Sequence, residues 1–247
     1  MTFNSWSYLI EDKDIVFNVD ESIYKEYDFG SLENVHKFPA LPKGNTWGIE
    51  GEESNYYIED DLKLDGRKIN VLGKVNIFVN GSVELKSGKS SSTLWSTNEE
   101  KDNLNIFIIP KENDNDDRLI YMADHNQPPA EKFSSNIYLA SGNANISLKK
   151  ATFNCNIISN GNEVYFHTQT GGKDHNPVFG NIYAPNATVQ MDINSLSLNG
   201  FVVSNYLKLH HQNGKGDPGQ GKLILLEGIQ QDLVRQDKHS ISPGYYK

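Results

Sequence analysis

Short stretches of alternating apolar and polar residues, separated by Asn and Gly, make up most of the chain from Tyr56 onward. Such stretches are typical of β-strands that have one buried face and one solvated face. No amphipathic helix of about 12 or more residues can be drawn through them. The pattern therefore predicts an all-β fold.

The stretches resemble one another, and one apolar position recurs in each. The recurring residues are Ile77, Ile106, Ile137, Ile157, Ile182 and Val202, at spacings of 29, 31, 20, 25 and 20 residues. A unit of about 20 residues that repeats in this way is typical of a solenoid, in which each copy forms one rung. We predict a parallel β-helix (β-solenoid), with a right-handed coil and with insertions at 87–103 and 111–131. An antiparallel sandwich is the alternative.

Second strands with the same alternation follow several of the aligned ones. They lie at 82–86, 144–148, 188–191 and 206–210. Asn-Gly pairs at 80–81, 160–161, 199–200 and 213–214 predict corners where the glycine has a positive φ. Stacked Asn side chains can also hydrogen-bond from rung to rung, so the abundance of Asn is explained without a ligand site.

Three segments differ in composition. Residues 1–55 are acidic and irregular and predict an N-terminal cap or leading segment, and 56–221 hold the repeats and predict the solenoid. Residues 222–247 include the apolar run Leu223 to Leu226. We expect them to form a short C-terminal cap, because the last rung of a solenoid otherwise exposes apolar side chains and unpaired backbone groups.

Charge and cysteine content narrow the possible partners. The 247-residue chain has a formal net charge of -9, which repels phosphate backbones, so we expect no nucleic-acid partner. Apolar runs such as Leu223 to Leu226 are all too short to span a membrane, so we expect no membrane contact by this part of a longer protein. Cys155 is the single cysteine, which excludes an internal disulfide and is typical of a small core residue.

Two groups of residues resemble metal ligands. The acidic run 112–117 has oxygen ligands suited to Ca²⁺, but it lacks the glycine and the closing carboxylate of a calcium loop. A solvated loop is the favoured interpretation, as it is for 59–61. His210 and His211 are adjacent, so on a strand they point to opposite faces and cannot bind one metal together.

Neighbouring rungs could bring His167, Asp174 or His175 near one of these two histidines, although the sequence alone does not place them there. The chain also has no Gly-x-Ser-x-Gly nucleophile motif, and the Gly-rich segment 214–221 lacks the strand and helix that flank a phosphate-binding loop. We therefore assign no catalytic, cofactor-binding or metal-binding residue, and no cofactor.

One segment resembles a known family. Phe179 to Val189, with the sequence FGNIYAPNATV, is similar to the G-x-I-Y-A-P-N-A-x-V hallmark of PilX-like pilus-assembly proteins, which are bacterial and β-helical. Gly200 to Ser204 resembles the shorter rung that follows it in that family, and weaker matches extend the resemblance over about 56–211. In physical terms the hallmark predicts a strand with Ile182 and Ala184 on its inner face, followed by a corner at Pro185.

The resemblance implies a surface protein of a pilus system whose members carry a membrane or prepilin-type helix near their start. We therefore expect a non-catalytic, extracellular or cell-surface module that is structural or adhesive. Its partners would be other pilus or surface proteins, a polysaccharide or a host surface. The alternative is a β-helical polysaccharide lyase or glycoside hydrolase, which needs acidic and basic residues at matched positions of adjacent rungs.

Overall fold

The computed structural model describes residues 17–18, 34–87, 95–97, 101–109, 115–124, 133–168, 176–192, 196–210 and 234–235. Its strands are β1 (Phe17–Asn18), β2 (Thr46–Ile58), β3 (Leu62–Asp65), β4 (Lys68–Val79), β5 (Val83–Ser87), β6 (Trp95–Ser96), β7 (Leu104–Ile108), β8 (Asp117–Asp124), β9 (Ser134–Leu139), β10 (Asn143–Lys149), β11 (Asn154–Ser159), β12 (Glu163–Thr168), β13 (Asn176–Phe179), β14 (Ile182–Asp192), β15 (Leu196–Asn199), β16 (Val202–His210) and β17 (Val234–Arg235). One 3₁₀ turn spans Lys101–Asn103 and another lies at 34–37.

The strands stack in parallel on their equivalents in the next turn, which makes a β-solenoid of about 6 turns. The first sheet runs through the ends of β2 and β4, then β7, β9, β11 and the starts of β14 and β16. The second sheet runs through β3, β5, β8, β10, β12 and the ends of β14 and β16. A third side is built from short pairs such as β4 with β6 and β13 with β15. The predicted fold class is confirmed.

The predicted register of the first sheet is also confirmed. Ile77 pairs with Ile106, Ile106 with Ile137, Ile137 with Ile157, Ile157 with Ile182, and Ile182 with Val202. The five isoleucines have no exposed surface and belong to one continuous core. The second strands predicted at 82–86, 144–148, 188–191 and 206–210 correspond to β5, β10 and the ends of β14 and β16.

The two predicted insertions need correction, because each contains a strand of a rung. β6 lies within 87–103, and β8 lies within 111–131. The start of β8 has a polar sequence, Asp117 followed by Arg118, which is why it resembles an insertion. In the structure, however, Arg118 is buried. Its Nη2 donates to the carbonyl oxygens of Asn80 and Gly81, both at 2.8 Å, so a charged residue is accommodated between rungs.

The predicted asparagine ladder is present in the first sheet. The Nδ2 groups of Asn76, Asn105, Asn136 and Asn156 each donate to the Oδ1 of the asparagine one rung earlier, at 2.9, 2.9, 3.1 and 2.8 Å. The ladder begins at Asn55, and the Asn156 Oδ1 accepts from the backbone N–H of Asn181. These side chains therefore connect successive rungs through their own hydrogen bonds.

The predicted role of the Asn-Gly corners is wrong at two positions. Gly200 has φ 156°, but Gly81 and Gly161 are not among the glycines with positive φ. Glycine is needed at these two positions because another backbone segment lies close by. A Cβ on Gly161, for example, would lie 1.9 Å from the carbonyl oxygen of Gly142. The fourth pair, 213–214, lies outside the described residues.

Several predictions concern the two ends of the chain. The first rung begins with β2 at Thr46, inside the segment 1–55, and β1 pairs with β17 in antiparallel fashion. Most of 222–247, including the apolar run Leu223 to Leu226, lies outside the described residues. In the part of the chain that is described, no helix combines the length and apolar character required to cross a bilayer.

Candidate functional site

The outer face of the first sheet is largely covered by other parts of the chain. Phe78, Phe107 and Tyr138 stack on it from rung to rung, with ring centroids 4.8 and 4.4 Å apart. Phe38, which follows the 3₁₀ turn at 34–37, packs on Phe78 with centroids 5.4 Å apart. Lys101, in the second 3₁₀ turn, donates through Nζ to the carbonyl oxygen of Phe179 at 2.7 Å. Little of this face is left to bind a partner over its first rungs.

The outer face of the second sheet, in contrast, carries two columns of mostly polar side chains, one from each successive rung. The first column is Lys63, Glu84, Ile120, Asn145, Tyr165, Gln190 and Lys208, and the second column is Asp65, Lys86, Met122, Ser147, His167 and Asp192. All but Ser147 and Asp192 are half-buried or exposed. Because adjacent parallel strands lie about 4.8 Å apart, each column repeats at that interval along the solenoid axis.

Three of these side chains form a hydrogen-bonded cluster, Tyr165–His167–Asp192. The His167 Nδ1 donates to the Asp192 Oδ2 at 2.7 Å, and the Tyr165 hydroxyl lies 3.2 Å from that Nδ1 and 3.3 Å from the same Oδ2. Asp192 has no exposed side-chain surface, whereas a third of the His167 side chain is exposed. Burial, and then the Asp192 carboxylate, raise the pKa of the Tyr165 hydroxyl. The hydrogen bond from the His167 Nδ1 to the Asp192 carboxylate fixes the orientation of the imidazole ring.

A shallow groove adjoins the cluster on the side of the earlier rungs. It has a volume of about 290 Å³ and is lined by Asp65, Lys86, Ser87, Met122, Ala123, Asp124 and Ser147. Lys149 pairs with Asp124 Oδ2 at 3.3 Å, and Lys86 pairs with Glu84. The second carboxylate oxygen of Asp124, Oδ1, is buried and has no hydrogen-bond partner among the described residues. The groove therefore combines charges that are paired with one acceptor that is not.

The acidic runs named from sequence act at corners between rungs. Asp61 accepts hydrogen bonds from the Ser82 backbone N–H and hydroxyl, both at 2.9 Å, and these bonds lower the pKa of its carboxyl. Asp117 accepts from the Asn145 Nδ2 at 3.2 Å. Residues 112–114 lie outside the described part. Both described runs are thus accounted for by local hydrogen bonds.

The histidines named from sequence are partly placed. His167 contacts Asp192, and the strand register puts His210 opposite Asp192 on the next rung. Asp174, His175 and His211 lie outside the described residues. Among the residues that are described, no cluster of three or more His, Cys, Asp or Glu side chains is arranged to hold a metal ion.

The sequence analysis missed the role of Tyr165 and Asp192. Asp192 lies 25 residues after His167, and only the rung register brings the two together. Had β12 been recognised as a strand, the same alignment that linked Ile157 with Ile182 would have paired these positions.

Cys155 is placed as the sequence predicts, in the core. It accepts a hydrogen bond from the Ser135 hydroxyl at 3.3 Å, and burial raises the pKa of its thiol to about 11. A thiol with these properties is unreactive near neutral pH. It is therefore not a nucleophile.

The hallmark segment Phe179 to Val189 forms the end of β13 and most of β14. Ile182 and Ala184 have no exposed surface, and Tyr183 on the opposite face is half-buried. The strand register shifts between Ala184 and Thr188, where the chain turns from the first sheet into the second. The motif therefore builds a corner of the scaffold.

Comparison with protein-family models, with curated proteins and with solved structures finds no match to this chain. Function is therefore inferred from the fold, from the outer face of the second sheet and from the resemblance in the hallmark residues Phe179 to Val189.

Proposed function

We propose that this chain is a non-catalytic structural or adhesive module of a bacterial pilus or cell-surface system. One observation carries the proposal. The outer face of the first sheet is covered by Phe38 and the Lys101–Asn103 turn, whereas the outer face of the second sheet stays open along successive rungs. A stack of rungs gives a stiff rod with a long side surface, which suits display and binding.

The chemistry of the open face favours an extended ligand. Its two columns offer hydroxyl, amide or charged groups at all but the rung of Ile120 and Met122, together with the aromatic ring of Tyr165. Such a surface can form one set of contacts per rung with a long molecule. The partners we propose are another pilus or surface protein, or a polysaccharide of the bacterial or host surface.

A blocking experiment tests which face binds. Because Cys155 is buried and its pKa is raised to about 11, a single introduced cysteine can be labelled selectively. Asn145→Cys on the open face and Glu50→Cys in the first rung would each be coupled to a polyethylene glycol maleimide. Binding to bacterial cells, host cells and purified surface polysaccharides is then measured by flow cytometry and pull-down.

We expect the labelled Asn145→Cys protein to lose binding, while the labelled Glu50→Cys protein keeps it. Equal binding by the two labelled proteins would contradict the proposal, as would a wild-type protein that binds no surface or polysaccharide.

The Tyr165–His167–Asp192 cluster favours a second candidate function, a polysaccharide lyase or hydrolase. A histidine oriented by a buried carboxylate is a common arrangement for a general base. An assay of neutral and uronate polysaccharides for new reducing ends or unsaturated products decides between the two. The adhesive module predicts no turnover by the wild-type protein, whereas turnover that His167→Ala abolishes would establish the enzyme.

A further inference from the structure

We propose that the groove beside the Tyr165–His167–Asp192 cluster binds an uncharged, hydroxyl-rich polysaccharide whose chain runs along the solenoid axis. The inference rests on the proposed binding function of the second sheet's outer face and adds the class of ligand and the residues that contact it. Four features of the groove support it: its paired charges, the Asp124 carboxylate, the apolar surface of Met122 and the spacing of the rungs.

The charges of the groove oppose a polyanion. Asp124 is paired with Lys149 and Lys86 with Glu84, so neither lysine is left to neutralise an incoming acid group. Asp65 adds a further carboxylate to the lining, and the chain as a whole has a net charge of -9. A uronate or sulfated chain would be repelled, and breaking a charge pair to admit it would cost free energy. An uncharged chain leaves both pairs intact.

Asp124 supplies the contact that a sugar hydroxyl would complete. Its side chain is 29 % exposed in the groove, and its Oδ2 pairs with Lys149 at 3.3 Å. A carboxylate oxygen can accept more than one hydrogen bond, so Oδ2 can also accept from a sugar hydroxyl, and hydrogen bonds to an ionised carboxylate are short and strong. The same groove contains Met122, which is 39 % exposed and offers an apolar surface for the C–H face of a sugar ring.

The spacing of the rungs distinguishes a polysaccharide from a peptide. Side chains in the second column repeat about every 4.8 Å along the axis, which is close to the length of one sugar unit in an extended chain. An extended peptide advances only about 3.4 Å per residue, so its groups fall out of step with the rungs after a few residues. A polysaccharide can therefore repeat its contacts from Asp65 toward His167.

The volume of the groove sets the extent of the contact. At about 290 Å³ it is at the lower limit of the range of about 300–1,000 Å³ that is usual for pockets enclosing small ligands. It would hold part of a long chain rather than enclose a whole molecule. We expect weak binding per site that increases with chain length.

The experiment compares the intact protein with three variants. Affinity electrophoresis in gels containing hydroxyethyl cellulose, xyloglucan or galactomannan reports binding to neutral chains, and polygalacturonate serves as the anionic probe. Met122→Lys places a charged side chain in the groove, and Ile49→Lys makes the same change at an exposed apolar residue of β2, which lies neither in the groove lining nor on the outer face of the second sheet. Asp124→Asn removes the carboxylate. Thermal unfolding confirms that each variant is folded.

We expect at least one neutral polysaccharide, but not polygalacturonate, to retard the protein. Asp124→Asn should weaken the binding by about tenfold, which is the loss expected for one hydrogen bond to a charged group. Met122→Lys should weaken it by a similar factor, because a charged side chain replaces the apolar contact with the sugar ring. Ile49→Lys should change it by less than about twofold, since surface substitutions away from a site have small effects.

Retardation by polygalacturonate alone, or equal effects of Met122→Lys and Ile49→Lys, would overturn the inference. Binding that labelled Asn145→Cys abolishes but the groove variants leave intact would also overturn it, while the proposed adhesive function would stand. A wild-type protein that binds no cell surface and no polysaccharide would instead contradict the proposed function itself.

Discussion

Asparagine side chains stabilise the first sheet although they are polar and point away from the core. Asn105 is only 4 % exposed, and it both donates to Asn76 at 2.9 Å and accepts from Asn136 at 3.1 Å. Each ladder residue therefore satisfies two neighbours. The Lys101–Asn103 turn is close to these strands, which helps to exclude water from the ladder.

Replacing Asn105 by Ala should destabilise the protein by about 2 kcal/mol, because the Asn76 Oδ1 and the Asn136 Nδ2 lose their shared partner in a buried setting. Urea denaturation measures the change in the free energy of unfolding. Asn145→Ala is the matched control, since the hydrogen bond from Asn145 to Asp117 lies at the exposed surface of the second sheet, and it should cost less than about 0.5 kcal/mol. Similar losses for the two variants would contradict the ladder's role.

Cys155 should resist alkylation in the native protein. Burial raises the pKa of its thiol from the ordinary value to about 11, so at pH 8 the reactive thiolate is scarce as well as inaccessible. Iodoacetamide at pH 8 should modify Cys155 only after unfolding in urea, as followed by mass spectrometry of the intact protein. Rapid modification without denaturant would mean that the core opens far more often than its packing indicates.

For single residues, the sequence predicts the burial and the partners of a side chain where these follow from the residue type. The core position of Cys155 and the stacking of asparagines are of this kind. Arg118 and Asp192 are not, because both are charged residues in buried positions. Each depends on a hydrogen-bond partner more than 20 residues away, such as the Gly81 carbonyl for Arg118, and only the assembled rungs bring the two together.

Whether a strand could be predicted from the sequence depended on its length and on regular alternation of apolar and polar residues. The first sheet could be aligned from sequence because each rung repeats an apolar residue at the position of Ile137. The third side could not, since its strands are as short as β6, which has two residues, or β13, which has four. Alternation of apolar and polar residues over only two to four positions is too short to identify a strand.

Glycines lie where the backbones of neighbouring rungs leave no space for a Cβ. A Cβ on Gly180 would lie 1.9 Å from the carbonyl oxygen of Cys155 on the preceding rung, and that oxygen belongs to rigid backbone. Gly180→Ala should therefore destabilise the fold by about 2 kcal/mol, as overpacking of a dense core does. Gly44→Ala, where a Cβ meets nothing within 4 Å, is the control and should be neutral in thermal unfolding. Equal melting temperatures for the two variants would contradict this account.

For the whole molecule, the stack of rungs makes stability nearly one-dimensional. Each rung contacts mainly the rung before it and the rung after it, so a rung in the middle is held from two sides. Val189 and Met191 in β14 are fully buried, but the equivalent Leu207 and Leu209 in β16 are 43 % and 37 % exposed. The described stack thus ends in a rung whose inner side chains are incompletely covered.

The rungs should consequently open in order, starting from β16. Hydrogen exchange followed by mass spectrometry should show the fastest native-state exchange in 202–210 and the slowest in β9 and β11, each of which pairs with a strand on both sides. The reason is that opening β16 disrupts one interface of the core, whereas opening β9 disrupts two. A peptide covering 202–210 that exchanges as slowly as one covering 134–139 would show that this last rung is covered as completely as the central ones.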